Sequence, residues 1–259
     1  MIHLMRRAVE ILREEGPMEL FRGGIRFFLW RYKKLKESIK RGIRSVHMML
    51  PTSKMKYNGI YVRCPLFDPI LPWRRRPNYE SGIITSVNEH LKKGEKVVIV
   101  GGGNGVTAVV VAEQIGEDGN VIVYEGSADK VERCKQTARL NGVSDRIEVR
   151  HGIVGPSISV WGEEKGAPHL EPKEIPDCDV LELDCEGAET DILENIQIRP
   201  RVIIVESHGV FDAPTEEVKR FLEDLSYTVV SEDIAEISNK ETCLENDIYV
   251  LTGVREVSR

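Results

Sequence analysis
The chain has 259 residues and a net charge of −6, with apolar and charged fractions ordinary for a soluble globular protein. That length allows one large domain with an appendage or two small ones, and the composition excludes a disordered or collagen-like chain. The charge is split: residues 1–76 carry 18 Lys and Arg against 6 Asp and Glu, and residues 77–259 carry 18 against 36, so a basic front and an acidic body face different partners.

The five cysteines are odd in number and none has CxxC spacing, which argues against a disulfide framework or a zinc site and fits a reducing cytoplasm. The opening MIHLMRRAVEILREEG carries charges throughout, unlike a secretory signal. No apolar run reaches the ~20 residues that a spanning helix needs. The longest uncharged stretch, 97–112, is split by four glycines, which places a loop inside it.

Residues 1–50 read as a helical extension. Ile25, Phe28, Leu29, Tyr32, Leu35, Ile39, Ile43 and Val46 recur at helical spacing, with Arg26, Arg31, Lys33, Lys34, Lys40, Arg41 and Arg44 opposite. Phe27 and Trp30 add aromatic surface, a combination that suits either an anionic membrane surface or a solvated face packed on the body. Residues 51–78 read as a connector, with a short strand or hairpin over 57–63 and prolines at 65, 69, 72 and 77. Arg74-Arg75-Arg76 in it reads as a solvated run, or as a contact for substrate phosphates or carboxylates. No nucleic-acid module is recognisable, so no specific nucleic-acid partner is expected.

From residue 79 to 259 strands and helices alternate, which implies a mainly parallel sheet covered on both faces. The pattern predicts helices over about 80–92, 106–115, 128–140, after Gly187, and from Asp212-Pro214 through Leu225. It predicts seven strands, over 96–100, 121–125, 146–150, 180–184, 202–206, 227–230 and 247–251. Ser127 is expected to cap the third helix, and a long loop is expected over 152–176.

Ligands bind at the carboxyl ends of strands in such a sheet, so what ends each apolar run matters. The first run enters Gly101-Gly102-Gly103-Asn104-Gly105; the others end in Glu125, Asp184 and Glu206. A glycine turn before a helix lets a ligand approach the backbone and the unpaired N–H groups of the helix start. Gly101, Gly103 and Gly105 fit the GxGxG of methyltransferases, while Gly103, Gly105 and Ala108 fit the GxGxxA of dinucleotide enzymes. Glu125, 20 residues past Gly105, suits the ribose hydroxyls of either cofactor.

VLELDCEGAETDIL, followed by VIIVESHG, resembles the FkbM family of methyltransferases. Its apolar strand, Asp, any residue, Glu-Gly-Ala-Glu and second strand ending in Glu near a His correspond to Asp184, Glu186, Gly187, Ala188, Glu189, Glu206 and His208. The resemblance covers about residues 79–251. It implies a Rossmann-like class I methyltransferase fold with a mainly parallel seven-stranded sheet, and S-adenosylmethionine as cofactor. Gly101, Gly103, Gly105 and Glu125 would hold the cofactor, Asp184 would lie near its sulfonium and amino groups, and Glu80 would close the pocket. O-methylation of a sugar, glycan or related small-molecule hydroxyl is the implied reaction. His208 is the base expected from its ordinary pKa, with Glu206 or Asp184 as alternatives. No metal is expected, since an Asp184/Glu206/His208 set has no distinctive ligand spacing. Two positions depart from the family: Ile99 stands where an acid usually contacts the methionine end of the cofactor, and Glu182 where Lys is usual. The alternative functions are a nicotinamide-dependent oxidoreductase and a non-catalytic membrane-associated scaffold. The expected location is cytoplasmic, with peripheral attachment to the inner membrane surface through residues 1–50.

Overall fold
The computed structural model describes residues 52–65, 75–156 and 166–255. The extension expected over 1–50, with the basic aromatic helix read there, the proline-rich stretch through Arg74, and the middle of the long loop lie outside the described residues.

The described chain opens with strands β1 (Thr52–Tyr57) and β2 (Ile60–Pro65). Asn58 and Gly59 between them both have positive φ, 45° and 87°, the combination of a type I′ turn, whose twist matches a right-handed strand pair. The short segment expected here is therefore a hairpin. β3 (Arg75–Arg76) joins β1 in parallel. Arg76 is a structural residue: its guanidinium donates to both oxygens of Glu236 at 2.8 and 3.0 Å and lies 4.5 Å from the centre of the Tyr79 ring.

The body follows in chain order as α1 (Ser81–His90), β4 (Lys96–Val100), α2 (Val106–Ile115), β5 (Asn120–Glu125), α3 (Ala128–Leu140) and β6 (Ile147–His151). After β7 (Ile153–Val154) and β8 (His169–Leu170) come β9 (Val180–Leu183), α4 (Glu189–Asn195), β10 (Val202–Glu206) and α5 (Thr215–Asp224). β11 (Thr228–Ile234), α6 (Lys240–Glu245) and β12 (Tyr249–Val254) complete it. The main sheet has the order β11-β12-β10-β9-β4-β5-β6, and β12 pairs antiparallel with both β10 and β11. This is the seven-stranded, mainly parallel sheet of the Rossmann-like class I methyltransferase fold.

The central strands are buried on both faces and read as continuous apolar runs for that reason. Val97 and Ile99 of β4 face a core with Val180, Val202 and Ile204, covered by Ile83 and Val87 of α1 and Val109 and Ala112 of α2. Val98 and Val100 face the opposite core with Leu181, Leu183, Ile203 and Val205, covered by Ile192 of α4 and Leu222 of α5. Strand order reverses at β4, with β5 on one side and β9 on the other. A crevice forms at such a reversal, outside the carboxyl ends of the strands.

Several local expectations change. The long loop contains the short parallel pair β7–β8. Ser127 does stand at the start of α3, but its hydroxyl is buried and makes no cap bond. α5 starts one residue after Pro214, and its cap comes from a distant residue: Asp247 accepts the N–H and hydroxyl of Thr215 at 2.9 and 2.7 Å. α6, KETCLE, buries only Cys243 and carries no apolar stripe to announce it.

Candidate active site
The strand β4 runs into the glycine loop, which turns at once into α2. Gly101 has φ 104°, and a side chain there would collide with the backbone carbonyl of Asp184 at the end of β9. This crossing of two strand ends is what demands glycine. Gly105, at the start of α2, faces α3; a Cβ on it would stand 2.8 Å from the Cα of Cys134, so its missing side chain serves helix packing. At Gly103 the nearest side-chain atom to an added Cβ would be Glu80 Oε1, at 3.8 Å, which leaves an open cradle.

Glu125 ends β5 beneath this loop. One of its oxygens accepts the Gly103 N–H at 2.8 Å and the other accepts the Ser127 N–H at 2.7 Å. Burial raises its pKa, and those N–H groups oppose the rise. Each carboxylate oxygen keeps acceptor capacity beyond one bond, so Glu125 can take two further hydroxyl donors. Asn104 donates to the Tyr79 hydroxyl at 3.1 Å and lies 3.5 Å from the Lys130 ammonium. These two side chains frame the loop and were not singled out in the sequence; an Asn inside a glycine run is the signal that could have found one of them.

Two further carboxylates have buried atoms without hydrogen bonds. Glu80 precedes α1 in a left-handed conformation (φ 51°), and its Oε2 is unpartnered; burial pushes its pKa up to about 7. Glu182, in the middle of β9, is 1% exposed and both its oxygens are unpartnered. The Thr107 hydroxyl is near enough to favour its charged form yet outside bonding geometry. Burial, followed by the charge of Glu80, pushes Glu182 up to about 8. Ile99, wholly buried, is in register with Glu182 on the next strand. Register partners in adjacent parallel strands share a face, so the acid absent at 99 stands one strand away.

The far side of the crevice is built on the DCEGAE motif. Glu189, fully buried at the start of α4, accepts the N–H groups of Cys185 and Gly187 at 3.1 and 2.8 Å. Its Oε1 also meets His208 Nδ1 at 2.8 Å. That one carboxylate thus ties the end of β9 to the segment after β10. His208 Nε2 faces Asp184 Oδ1 at 3.7 Å and Glu206 Oε1 at 3.5 Å. Asp184 is pushed well above the usual carboxylate range, first by burial and then by the charge of Glu206.

The surroundings of His208 bear on its expected role as base. His208 is 4% exposed, not an exposed loop residue. Burial alone would lower its pKa, but bonds to Glu189 and Glu206 and the charges of Glu189 and Asp184 push it up to about 12. Those acids favour the imidazolium, and an imidazolium has no lone pair for a substrate proton. Burial and Glu189 hold the Cys185 thiol well above its ordinary pKa, which disfavours a thiolate there.

The residues expected at the site thus fall on one edge. Gly101, Gly103, Glu125 and Glu80 surround the loop, and Asp184, Glu206 and His208 cluster at the ends of β9 and β10. The open cradle at Gly103, the acceptor at Glu125 and the orphaned oxygens of Glu80 and Glu182 fit a cofactor with ribose hydroxyls and an ammonium group. They fit a dinucleotide poorly, since a pyrophosphate on the loop would meet Glu80.

Comparison with known proteins divides the body in two. Residues 77–156 match the family model of protein-L-isoaspartate(D-aspartate) O-methyltransferase, and residues 167–229 match the model of the methyltransferase FkbM domain. The protein-L-isoaspartate O-methyltransferase of Methanococcus aeolicus is 35% identical over 68 residues, 26% of this chain. That alignment spans 32% of the relative's own length. Solved structures align more loosely. The ribosomal protein L11 methylase of Lactobacillus delbrueckii subsp. bulgaricus gives a TM-score of 0.49 at 12% identity, covering 74% of this chain and 90% of its own. The Bacillus cereus O-methyltransferase in complex with SAH gives 0.43 at 16% identity, covering 67% and 79%. Two methyltransferase family models thus match successive stretches of this one seven-stranded sheet.

Proposed function
We propose that the chain is an S-adenosylmethionine-dependent O-methyltransferase acting on a hydroxyl of a sugar, glycan or related small molecule. The observation that carries the cofactor half is Glu125, pinned by the N–H groups of Gly103 and Ser127 beneath the open loop. Glu125 takes the ribose hydroxyls, and Gly101 and Gly103 let the cofactor lie against the backbone. The carboxylates of Glu80, Glu182 and Asp184 favour the ammonium and sulfonium charges, and Glu182 fills the place that Ile99 leaves. S-adenosylmethionine supplies a methyl group already activated for in-line displacement.

The protein then has to place and deprotonate the acceptor. In this reading the hydroxyl oxygen takes the methyl group, and its proton passes to the Asp184–Glu206 pair. His208, held by Glu189, stays protonated and fixes the two carboxylates. The match to isoaspartate methyltransferases falls on the cofactor half, so it says little about the acceptor. The hydroxyl acceptor rests on the FkbM-like half with its acid–His–acid edge. The basic, aromatic residues 1–50 would attach the chain to an anionic membrane.

Calorimetry with S-adenosylmethionine, its demethylated product and NAD tests the cofactor. Micromolar-range binding of the first two is expected, and tight NAD binding in their place would overturn the reading. Transfer of a labelled methyl group into a glycan or lipid extract tests the acceptor.

A further inference from the structure
We propose that Glu182, together with Glu80, is the seat of the ammonium group at the amino-acid end of the cofactor, and that Glu182 gives up a proton to solvent as that group arrives. The identity of the ligand rests on the methyl-transfer reading; the coupling of its binding to a proton goes beyond that reading. Acidic clusters are common and by themselves say little. These two acids are set apart by oxygens left without partners.

Glu182 stands in register with Ile99 of β4 and Ile204 of β10, so it shares a buried face with two isoleucines. It is 1% exposed, and among the described residues neither of its oxygens has a hydrogen-bond partner. Oε2 of Glu80 is in the same condition. A buried carboxylate left so is costly, and it persists where a proton or a cation answers it. The other oxygen of Glu80 borders the open cradle, 3.8 Å from where a Cβ on Gly103 would stand. The N–H of that same glycine is bonded to Glu125. A cofactor whose ribose is held by Glu125 has its charged end within reach of Glu80 across this one residue.

Charge then fixes the coupling. Two buried carboxyls that act on one another do not both ionise readily without a cation. Glu182 is faced by Glu80, by Glu206 of β10 and by the Thr107 hydroxyl of α2. Glu80 is faced by Tyr79, by Glu206, by Lys130 of α3 and by Glu236, and its charge reaches Asp184. Burial pushes Glu182 up to about 8 and Glu80 up to about 7, so Glu182 holds its proton near neutrality while the pocket is free. The arriving ammonium favours the carboxylate. The O–H bond of Glu182 breaks, its proton passes to solvent, and the pocket exchanges one positive charge for another. An α-amino group is itself protonated below about 7.7, so the ligand brings its charge throughout the acid range. Affinity should rise about tenfold per pH unit between about 5.5 and 7, the slope of one released proton.

The test is calorimetric titration of S-adenosylmethionine into the full-length protein at about pH 6.5, in phosphate and in Bis-Tris, whose different heats of ionisation count the protons released. About one proton per cofactor is expected. S-adenosylhomocysteine, which keeps the ammonium and lacks the sulfonium, should release the same proton. Methylthioadenosine, which lacks the amino-acid end, should release none. Glu182→Gln keeps the shape without the charge; it should abolish most of the release and flatten the dependence of affinity on pH, with circular dichroism confirming that the variant is folded. Cofactor binding to wild type without proton release would overturn the proposal, whatever the variant does, and would leave the methyl-transfer reading standing. Full release from Glu182→Gln, or release by S-adenosylmethionine but not by S-adenosylhomocysteine, would overturn it as well. Failure of the cofactor to bind at any pH would instead remove the methyl-transfer reading, and the ligand with it.

Discussion

Replacing Glu182 by Met should stabilise the protein, by an amount that depends on pH. The glutamate lies in the middle of β9, 1% exposed, with neither oxygen hydrogen-bonded. Its carboxyl titrates at 4.5 in the unfolded chain and at about 8 in the folded one. The folded state therefore holds a proton that the unfolded state has released, so stability falls as pH rises from about 4.5 and levels off above about 8. At 1.36 kcal/mol per pH unit, the loss by pH 7 is about 3 kcal/mol. Above pH 8 it approaches about 5 kcal/mol. Met keeps the length of the side chain and carries no charge, so the core stays filled. Urea denaturation of both proteins at pH 5, 7 and 9 would show the advantage of Glu182→Met growing with pH while the m-value holds. A difference that is flat with pH, or a variant weaker than wild type at pH 9, would refute the burial argument. Affinity for S-adenosylmethionine should fall in the same variant, a trade of function against stability seen where a site keeps an unfavourable group.

Glu125→Ala removes a charged acceptor, which costs about 1.5–3 kcal/mol, so calorimetry should show cofactor binding weakened about ten- to a hundredfold; equal affinity would take Glu125 out of the site. Glu206→Gln should lower turnover by about 10²–10⁴ if this carboxylate receives the proton, with cofactor affinity nearly unchanged, and single-turnover rates decide it. Gly101→Ala drives a methyl group into the Asp184 backbone, and a thermal melt should show loss of the folded protein rather than a shift of a few degrees. Residues 1–50 should carry the full-length chain to vesicles in flotation only when anionic lipid is present, and less so as salt rises.

Much of the architecture could be read from the residues because the central strands are short apolar runs with sharp ends. The bounds expected for β4, α2 and β10 are those found. The glycines and terminal acids mark where each run stops, and a parallel sheet gathers those stops on one edge. What could not be read depends on contacts across the chain. Nothing beside His208 in sequence says that Glu189, 19 residues earlier, takes its Nδ1. An exposed base and a buried imidazolium have the same letters. Glu182 and Ile99 read in the sequence as two separate departures from the family pattern; only the strand register brings them side by side. Likewise Asp247 caps α5 from 32 residues away, and Ser127, which local rules favour as a cap, makes no cap bond.

The position of β12 has a consequence for how the protein is made. This last strand lies between β10 and β11, so neither has its neighbour until residues 249–254 leave the ribosome. The end of β10 is held from the same side: Ser207 N–H donates to the Tyr249 carbonyl at 2.7 Å, and Gly209 N–H to that of Asp247 at 3.0 Å. A nascent chain reaching only to about residue 245 has made its glycine loop and the strand that bears Glu125. It still carries a naked edge along β10, open to pairing with another chain. The strands bearing the glycine loop and Glu125 can thus be in place during synthesis while the edge bearing Glu206 and His208 waits for β12, which makes β12 the strand that completes that edge.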